Sequence, residues 1–426
     1  MLIRGGKDFH ESFYYKPHEF EHIYPWLLGS YGVNTFVQIK AIPEKVLDNI
    51  MTVELTRGSY DMCAVTSSGL IYTSSGYFVS TGWILPFKTP NLLEGFSSKG
   101  VISISGGVYH TACVTIDGEV FIWGKHSLTF KESGYGNNIG QWNYAPMRVE
   151  ALAGVTVKQV ACGHDITAVC TDDGLLYTFG RGWYGKLGHG DIKDRTSPTL
   201  VEALKDKYIS KVQYGDLHTI ALTSSGYVFS WGLQQTCRLE LNDPAIRKMC
   251  FCYPSLVEDL RDHNVVQIST FKSQSVVLVD PTRTSAIRQS QQDSLSQQNS
   301  DVVFMVENET IYGNVDALSQ KSDYFAAMFR CEMRESIGRV VKIPKCPKEL
   351  FLCVLQYLCL DGFSVYIDHV VQLWELADMY QLEGLKLSCL GSLERGIRDD
   401  NVSRILQEAE DLECPCDELK RICREH

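Results

Sequence analysis

The residues of this 426-residue chain that could do chemistry are few and poorly grouped. His110 and His218 stand at the same place in a repeated segment, each followed by a threonine, Thr111 and Thr219. An imidazole there could ligate a metal or act as a base. A column that recurs with a repeat more often serves the repeat, by hydrogen-bonding to neighbouring turns. Cys250/Cys252 and Cys414/Cys416 are Cys-x-Cys pairs, but a structural zinc takes four ligands and neither pair has a Cys/His pair nearby to complete them. Cys331 lies beside Arg330 and Arg334, cations that favour a thiolate and hence a redox role; an ordinary thiol is the plainer reading. There is no phosphate-cradling glycine loop and no Ser/His/Asp or Cys/His arrangement. These residues predict a chain that is not an enzyme and uses no metal or cofactor. The aromatic loop residues Trp142, Trp183 and Tyr184 suit recognition instead, since aromatics concentrate at binding hot spots, with packing between repeats as the alternative role.

The elements that position these residues come from a segment of about fifty residues that recurs four times. The copies start at Gly58, Gly107, Gly163 and Gly215 and run into Thr66, Thr115, Thr171 and Thr223. Turns follow at Ser68-Gly69, Asp117-Gly118, Asp173-Gly174 and Ser225-Gly226. An aromatic-rich strand then closes on Gly76, Gly124, Gly180 or Gly232. Asp-Gly and Ser-Gly supply the positive φ of a tight hairpin, and runs such as Val120–Trp123 fit a pleated, half-buried surface. A further strand precedes each start, at Thr52–Leu55, Val101–Ser105, Val157–Ala161 and Ile209–Gln213. Several strands per unit, none able to bury its apolar face alone, predict stacked propeller blades.

Composition agrees with a globular protein of two or three domains, 44% hydrophobic and carrying a net charge of −11. From Asp301 onward 23 acidic residues face 14 basic ones, so nine of the eleven net negative charges lie there. Neither part has the basic excess of a nucleic-acid binder. No apolar run is long enough to span a bilayer, and the first residues do not read as a signal peptide. The expected location is therefore cytoplasmic, nuclear or both, with the 15 cysteines reduced. Residues 281–300, rich in Gln and Ser with almost no large apolar residue, predict a flexible tether.

The repeats resemble those of the regulator of chromosome condensation family. The resemblance is carried by Val160-Ala-Cys-Gly-His164, Phe179-Gly180, Gly185-Lys-Leu-Gly-His-Gly190, Pro198, Tyr214-Gly-Asp-Leu-His-Thr219 and Trp231-Gly232. It covers roughly residues 20–280 and implies a β-propeller. The family ring has seven blades; this chain carries about five and departs from that count. Gly29 and Pro43 look like a degenerate earlier copy and Val265–Val279 like the opening strands of another. Joining the two ends would close a fifth blade, with a distorted or truncated ring as the alternative.

Beyond the tether the pattern changes to a short strand, Asp301–Val306, a turn at Glu307-Asn308-Glu309, and helical periodicity over 316–322, 324–329, 348–358, 367–380 and 383–395, with a strand at Arg339–Ile343. Residues 301–395 resemble the BTB/POZ domain. Asp301-Val302, Leu318, Ser322-Asp-Tyr-Phe325, Met328-Phe329, Met333-Arg-Glu-Ser336, Ile343-Pro344 and Leu376-Ala-Asp-Met-Tyr-Gln-Leu382 carry that resemblance. Residues 396–426 look like a short helical extension. The fold class implied is an all-β propeller followed by an α+β BTB/POZ domain. Many BTB domains bind cullin-3. The family's hydrophobic-x-Glu motif falls on Met333-Arg334-Glu335, so Phe329, Met333 and Glu335 are the cullin-binding candidates the resemblance implies. Two departures leave homodimerisation open: the tether stands where a swapped strand and helix would be, and Gly313-Asn314-Val315 replaces a basic dimer-pocket motif.

The function this implies is a protein-interaction adaptor, the substrate-recognition subunit of a cullin-3 ubiquitin ligase, whose propeller binds an unidentified protein target. A guanine-nucleotide exchange factor for a small GTPase and a scaffold without a ubiquitin role are the alternatives.

Overall fold

The computed structural model describes residues 26–28, 34–36, 50–56, 61–75, 91–96, 99–124, 143–233, 250–271, 274–280, 295–330, 340–344, 346–412 and 416–425. A two-stranded antiparallel sheet, β1 (Trp26–Leu28) and β2 (Asn34–Phe36), comes first. Four four-stranded antiparallel sheets follow. The first holds β3 (Ile50–Thr56), β4 (Asp61–Thr66), β5 (Ile71–Ser75) and β6 (Asn91–Leu92). The second holds β7 (Val101–Gly106), β8 (His110–Thr115), β9 (Val120–Gly124) and β10 (Asn143–Arg148). The third holds β11 (Val157–Cys162), β12 (Ile166–Thr171), β13 (Leu176–Gly180) and β14 (Arg195–Leu200). The fourth holds β15 (Ile209–Tyr214), β16 (His218–Thr223), β17 (Val228–Leu233) and β18 (Cys250–Leu256). These are propeller-type blades, each a meander in which sequence neighbours pair.

The repeated threonine has a defined task. In each blade its hydroxyl accepts the backbone N–H four residues on: Leu70 on Thr66, Glu119 on Thr115, Leu175 on Thr171, Tyr227 on Thr223, at 2.9–3.2 Å. The turn glycines Gly69, Gly118, Gly174 and Gly226 all have φ between +75° and +86°, the conformation the Ser-Gly and Asp-Gly pairs predict. The second strands β8, β12 and β16 are buried at all six positions. They are covered on both faces by neighbouring blades.

The first strands stitch blade to blade. Ser103 and Ser105 of β7 accept from Val160 and Cys162 of β11, and Gln159 exchanges both amide bonds with Val212 of β15. The repeated histidines do the same one strand outward: His110 Nε2 bonds Thr167 Oγ1 at 2.8 Å, and His218 Nε2 bonds Ser275 Oγ at 2.7 Å. Both partners belong to strands of the following blade rather than to turns. Burial pushes the His218 imidazole down to about 4, against the nearby Asp216 charge, so it is neutral near pH 7.

The last propeller strands, β19 (Val265–Phe271) and β20 (Gln274–Val279), pair only with each other among the described residues. Among the described residues β1–β2 and β19–β20 are separate two-stranded hairpins, so the expected fifth blade, joined from both ends of the repeat region, is not seen there as one hydrogen-bonded sheet. Val276 and Leu278 on one face of β20 are almost half exposed. Gly29, Pro43 and Gly58 lie outside the described residues.

The C-terminal domain is α+β. Strands β21 (Val302–Val306), β22 (Glu309–Gly313) and β23 (Val340–Ile343) form a sheet in which β21 is central, antiparallel to β22 and parallel to β23. Glu307 and Asn308 turn the hairpin at positive φ. The described residues of this domain also form seven α-helices, the first two before β23: α1 (Val315–Lys321), α2 (Asp323–Arg330), α3 (Lys348–Cys359), α4 (Val370–Met379), α5 (Glu383–Gly396), α6 (Val402–Glu410) and α7 (Asp417–Glu425). Asn314 caps α1 by accepting from Ala317 N–H. One core built on Phe304, Phe325, Phe351, Leu373, Leu385 and Leu393 takes in α6 and α7 through Ile405, Ala409, Leu419 and Ile422. The proposed tether lies outside the described residues up to position 294, but Leu295 already packs on this core. Tyr253 of β18 belongs to the same cluster, so the domain packs directly on the fourth blade.

Candidate protein-interaction surfaces

The first surface is on the propeller, where β13 leads into a short turn of 3-10 type, Trp183–Gly185. Trp183 is 46% exposed and Tyr184 36%. Tyr184 holds φ +62°, a strained backbone for an aromatic residue, of the kind that gathers at functional sites. The turn is fixed from both sides: Gly182 N–H donates to Asp194 Oδ1, and Gly185 lies so close to β18 that a Cβ would come within 2.7 Å of Cys252 Sγ. The Arg181 guanidinium lies over the Trp183 ring at 4.8 Å and pairs with Asp165, 3.5 Å away. His164 Nδ1 meets Asp165 at 2.7 Å, and its ring lies edge-on to Tyr109. Burial pushes the Asp165 carboxyl up. The hydrogen bond from His164 and the charges of His164, Arg181 and Lys186 outweigh that and hold it below its ordinary range. The result is a preformed patch of Tyr109, His164, Arg181, Trp183 and Tyr184 on a rigid scaffold. The sequence pointed to Trp183 and Tyr184 but not to Arg181 and His164, which read there as ordinary loop residues; the β11–β12 turn and the segment after β13 bring them together within the third blade. Trp142 lies outside the described residues.

The second surface is on the C-terminal domain. Phe329, half-buried near the end of α2, stacks on Phe325 at 6.2 Å, which in turn stacks on Tyr380 at 5.5 Å. Tyr324 closes edge-on to Tyr380 at 5.1 Å. Beside them Met379, ending α4, is 57% exposed. This aromatic ladder ties α2 to the end of α4 and leaves an apolar rim. Met333 and Glu335 lie outside the described residues, so the structure places only Phe329 of the three cullin-binding candidates. Met379 and Tyr324 were not read as surface residues from sequence, because both fall within ordinary helical periodicity.

Among the described residues no group of three or more His, Cys, Asp or Glu is placed to hold a metal ion. Burial pushes the Cys170 thiol up to about 12 and those of Cys346 and Cys359 up to about 11, which leaves them inert near neutral pH. No helix among the described residues is long and apolar enough to cross a membrane.

The model of the regulator of chromosome condensation (RCC1) repeat matches residues 117–170, 173–222 and 225–278, with a second model of the same repeat matching 209–236. The BTB/POZ domain model matches residues 291–397. The ultraviolet-B receptor UVR8 of Arabidopsis thaliana is 30% identical over 254 residues, which is 58% of this chain and 56% of that protein. The E3 ubiquitin-protein ligase HERC2 of Homo sapiens is 29% identical over 242 residues, 54% of this chain but 5% of that protein. The chain thus spans about half of the first relative and a small part of the second. Among solved structures, human WBSCR16 matches with a TM-score of 0.44 and 20% identity, over 58% of this chain and 61% of that one. The chain carries RCC1 repeats, over residues 117–278, and a BTB/POZ domain, over residues 291–397, and so joins two protein-interaction modules in one polypeptide.

Proposed function

We propose that this protein is a substrate adaptor of a cullin-3 ubiquitin ligase: the propeller holds a protein target, and the BTB domain docks on cullin-3 through Phe329, Met333 and Glu335. It performs no bond chemistry of its own. Its effect is proximity, raising the local concentration of a target beside the catalytic partner. The observation that carries the reading is the position of Cys252. The Trp183–Gly185 turn packs against this residue, and its backbone N–H donates to Glu394 Oε2 of α5 at 3.0 Å. A target seated on Trp183 and Tyr184 is therefore held next to the BTB domain rather than at the far end of a tether.

Proximity labelling in cells with the wild-type chain, Trp183→Ala and Met333→Ala/Glu335→Ala tests this. The expected result is loss of cullin-3 with the double variant alone, and loss of a separate protein set with Trp183→Ala alone. Loss of nucleotide release from a small GTPase in place of both would favour the exchange-factor reading.

A further inference from the structure

The contact between the two domains is built from buried charge. Lys207, Asp361 and Glu394 are each 3–6% exposed. Lys207 Nζ, in the loop before β15, donates to Leu360 O at 3.2 Å. Asp361 Oδ2 accepts from Ser225 Oγ of the fourth blade at 2.7 Å, and its other oxygen pairs with Lys321 of α1 at 3.2 Å. Tyr357 OH donates to Asp206 Oδ2 at 2.7 Å, and Ser364 donates to Glu258. On the other side of α5, Arg395 donates to Leu256 O at 3.0 Å and Ser230 O at 3.1 Å with its guanidinium over Phe251. Uncompensated, a buried charge costs several kcal/mol; here partners from one domain meet the charges of the other.

Glycines supply a second, independent observation. Gly362 sits where a Cβ would strike the Tyr227 ring at 2.1 Å, and Gly391 where a Cβ would come 3.0 Å from Ser255 Oγ and 3.3 Å from Tyr253 Cβ. Tyr227 and Tyr253 are both buried. The BTB surface lacks side chains at the points where the fourth blade approaches most closely.

We infer that the BTB surface formed by α5 and residues 360–364 is a docking site whose occupant is the chain's own propeller, so that the two modules move as one body. The buried polar pairs fix one orientation, and the glycines fix the approach. The segment between Asp280 and Leu295 then holds the domains at high local concentration but is not what holds them together. This inference stands whether or not cullin-3 is the BTB partner.

The test inserts a protease site into residues 281–294 of the full chain, cleaves it, and measures size-exclusion elution and mass at micromolar concentration. The two pieces are expected to co-elute with the mass of one chain. With Gly362→Ala, which wedges Tyr227 without removing a charge, and separately with Arg395→Gln, their dissociation constant is expected to rise about a hundredfold or more. Circular dichroism and melting of each uncleaved variant separate this effect from misfolding. Separation of the wild-type pieces overturns the inference. So does co-elution that neither folded variant weakens, and so does a mass of two chains, which would make a second copy the occupant.

Discussion

Lys207 gives the interdomain contact a specific pH signature. Burial pushes its amine down to about 8, with the neighbouring Asp361 opposing this, Lys321 adding to it and Asp206 opposing it. The Tyr357 ring lies 5.1 Å below the amine. An unfolded lysine titrates near 10.4, so between these two values the unfolded chain binds a proton that the folded chain has released. Stability from this group therefore rises with pH across that window, the reverse of a surface lysine that gains a partner. The penalty of holding the charged amine is fully present below about pH 8 and is relieved towards about pH 10.4. Integrating the linkage from about pH 7.5 to about pH 9.5 gives roughly 2 kcal/mol. Lys207→Met keeps the length of the side chain and removes the titration. Its loss of the bond to Leu360 O is a cost that does not vary with pH. Urea unfolding of both proteins at the two pH values isolates the effect, since other titrating groups cancel in the difference. The wild type should gain about 2 kcal/mol on the variant as pH rises. A difference that stays flat or falls would refute the argument that this amine is buried against the BTB domain.

Acid should act through the buried histidines. His189 and His218, both pushed down to about 4 by burial, lose their contribution as pH falls from about 6.5 towards 4. The stability of wild type relative to His218→Gln should therefore drop by about 2 kcal/mol between about pH 7 and pH 5 in urea titrations. Gly180 holds φ +118° with a would-be Cβ 2.3 Å from Asp165 O. Gly180→Ala should cost about 2 kcal/mol or more, and a change within about 0.5 kcal/mol would refute the role given to the closing glycine. Trp183→Ala, at a partly exposed site, should leave the unfolding free energy unchanged within about 0.5 kcal/mol, while lowering target recovery.

The propeller was legible because its determinants are local and recur. Each Thr column residue accepts a bond four residues away, and each turn glycine needs positive φ for the strand beside it. The strands expected before each copy appear within about two residues of their predicted ends. The BTB helices were legible through their periodicity and their family motifs. What failed is non-local. Nothing in Val265–Val279 reveals that, among the described residues, its hairpin does not join β1–β2, since strand joining depends on where distant edges end up. The outer strands β10, β14 and β18 carry weak patterns because they face solvent or another domain; β14 is at most half-buried. The interdomain contact was hidden for the same reason. Glu394 and Arg395 read as ordinary polar positions near a helix end, and only the fold brings β18 against them. The tether's composition suggested independent domains, and it says nothing of the buried surface that joins them.

The adaptor account is tested most directly by titrating purified cullin-3 into the intact chain and into Met333→Ala/Glu335→Ala. The account predicts binding by the wild type and at least a tenfold weaker interaction in the double variant, with both proteins equally folded by circular dichroism. No binding by the wild type, or equal binding by both, would contradict it.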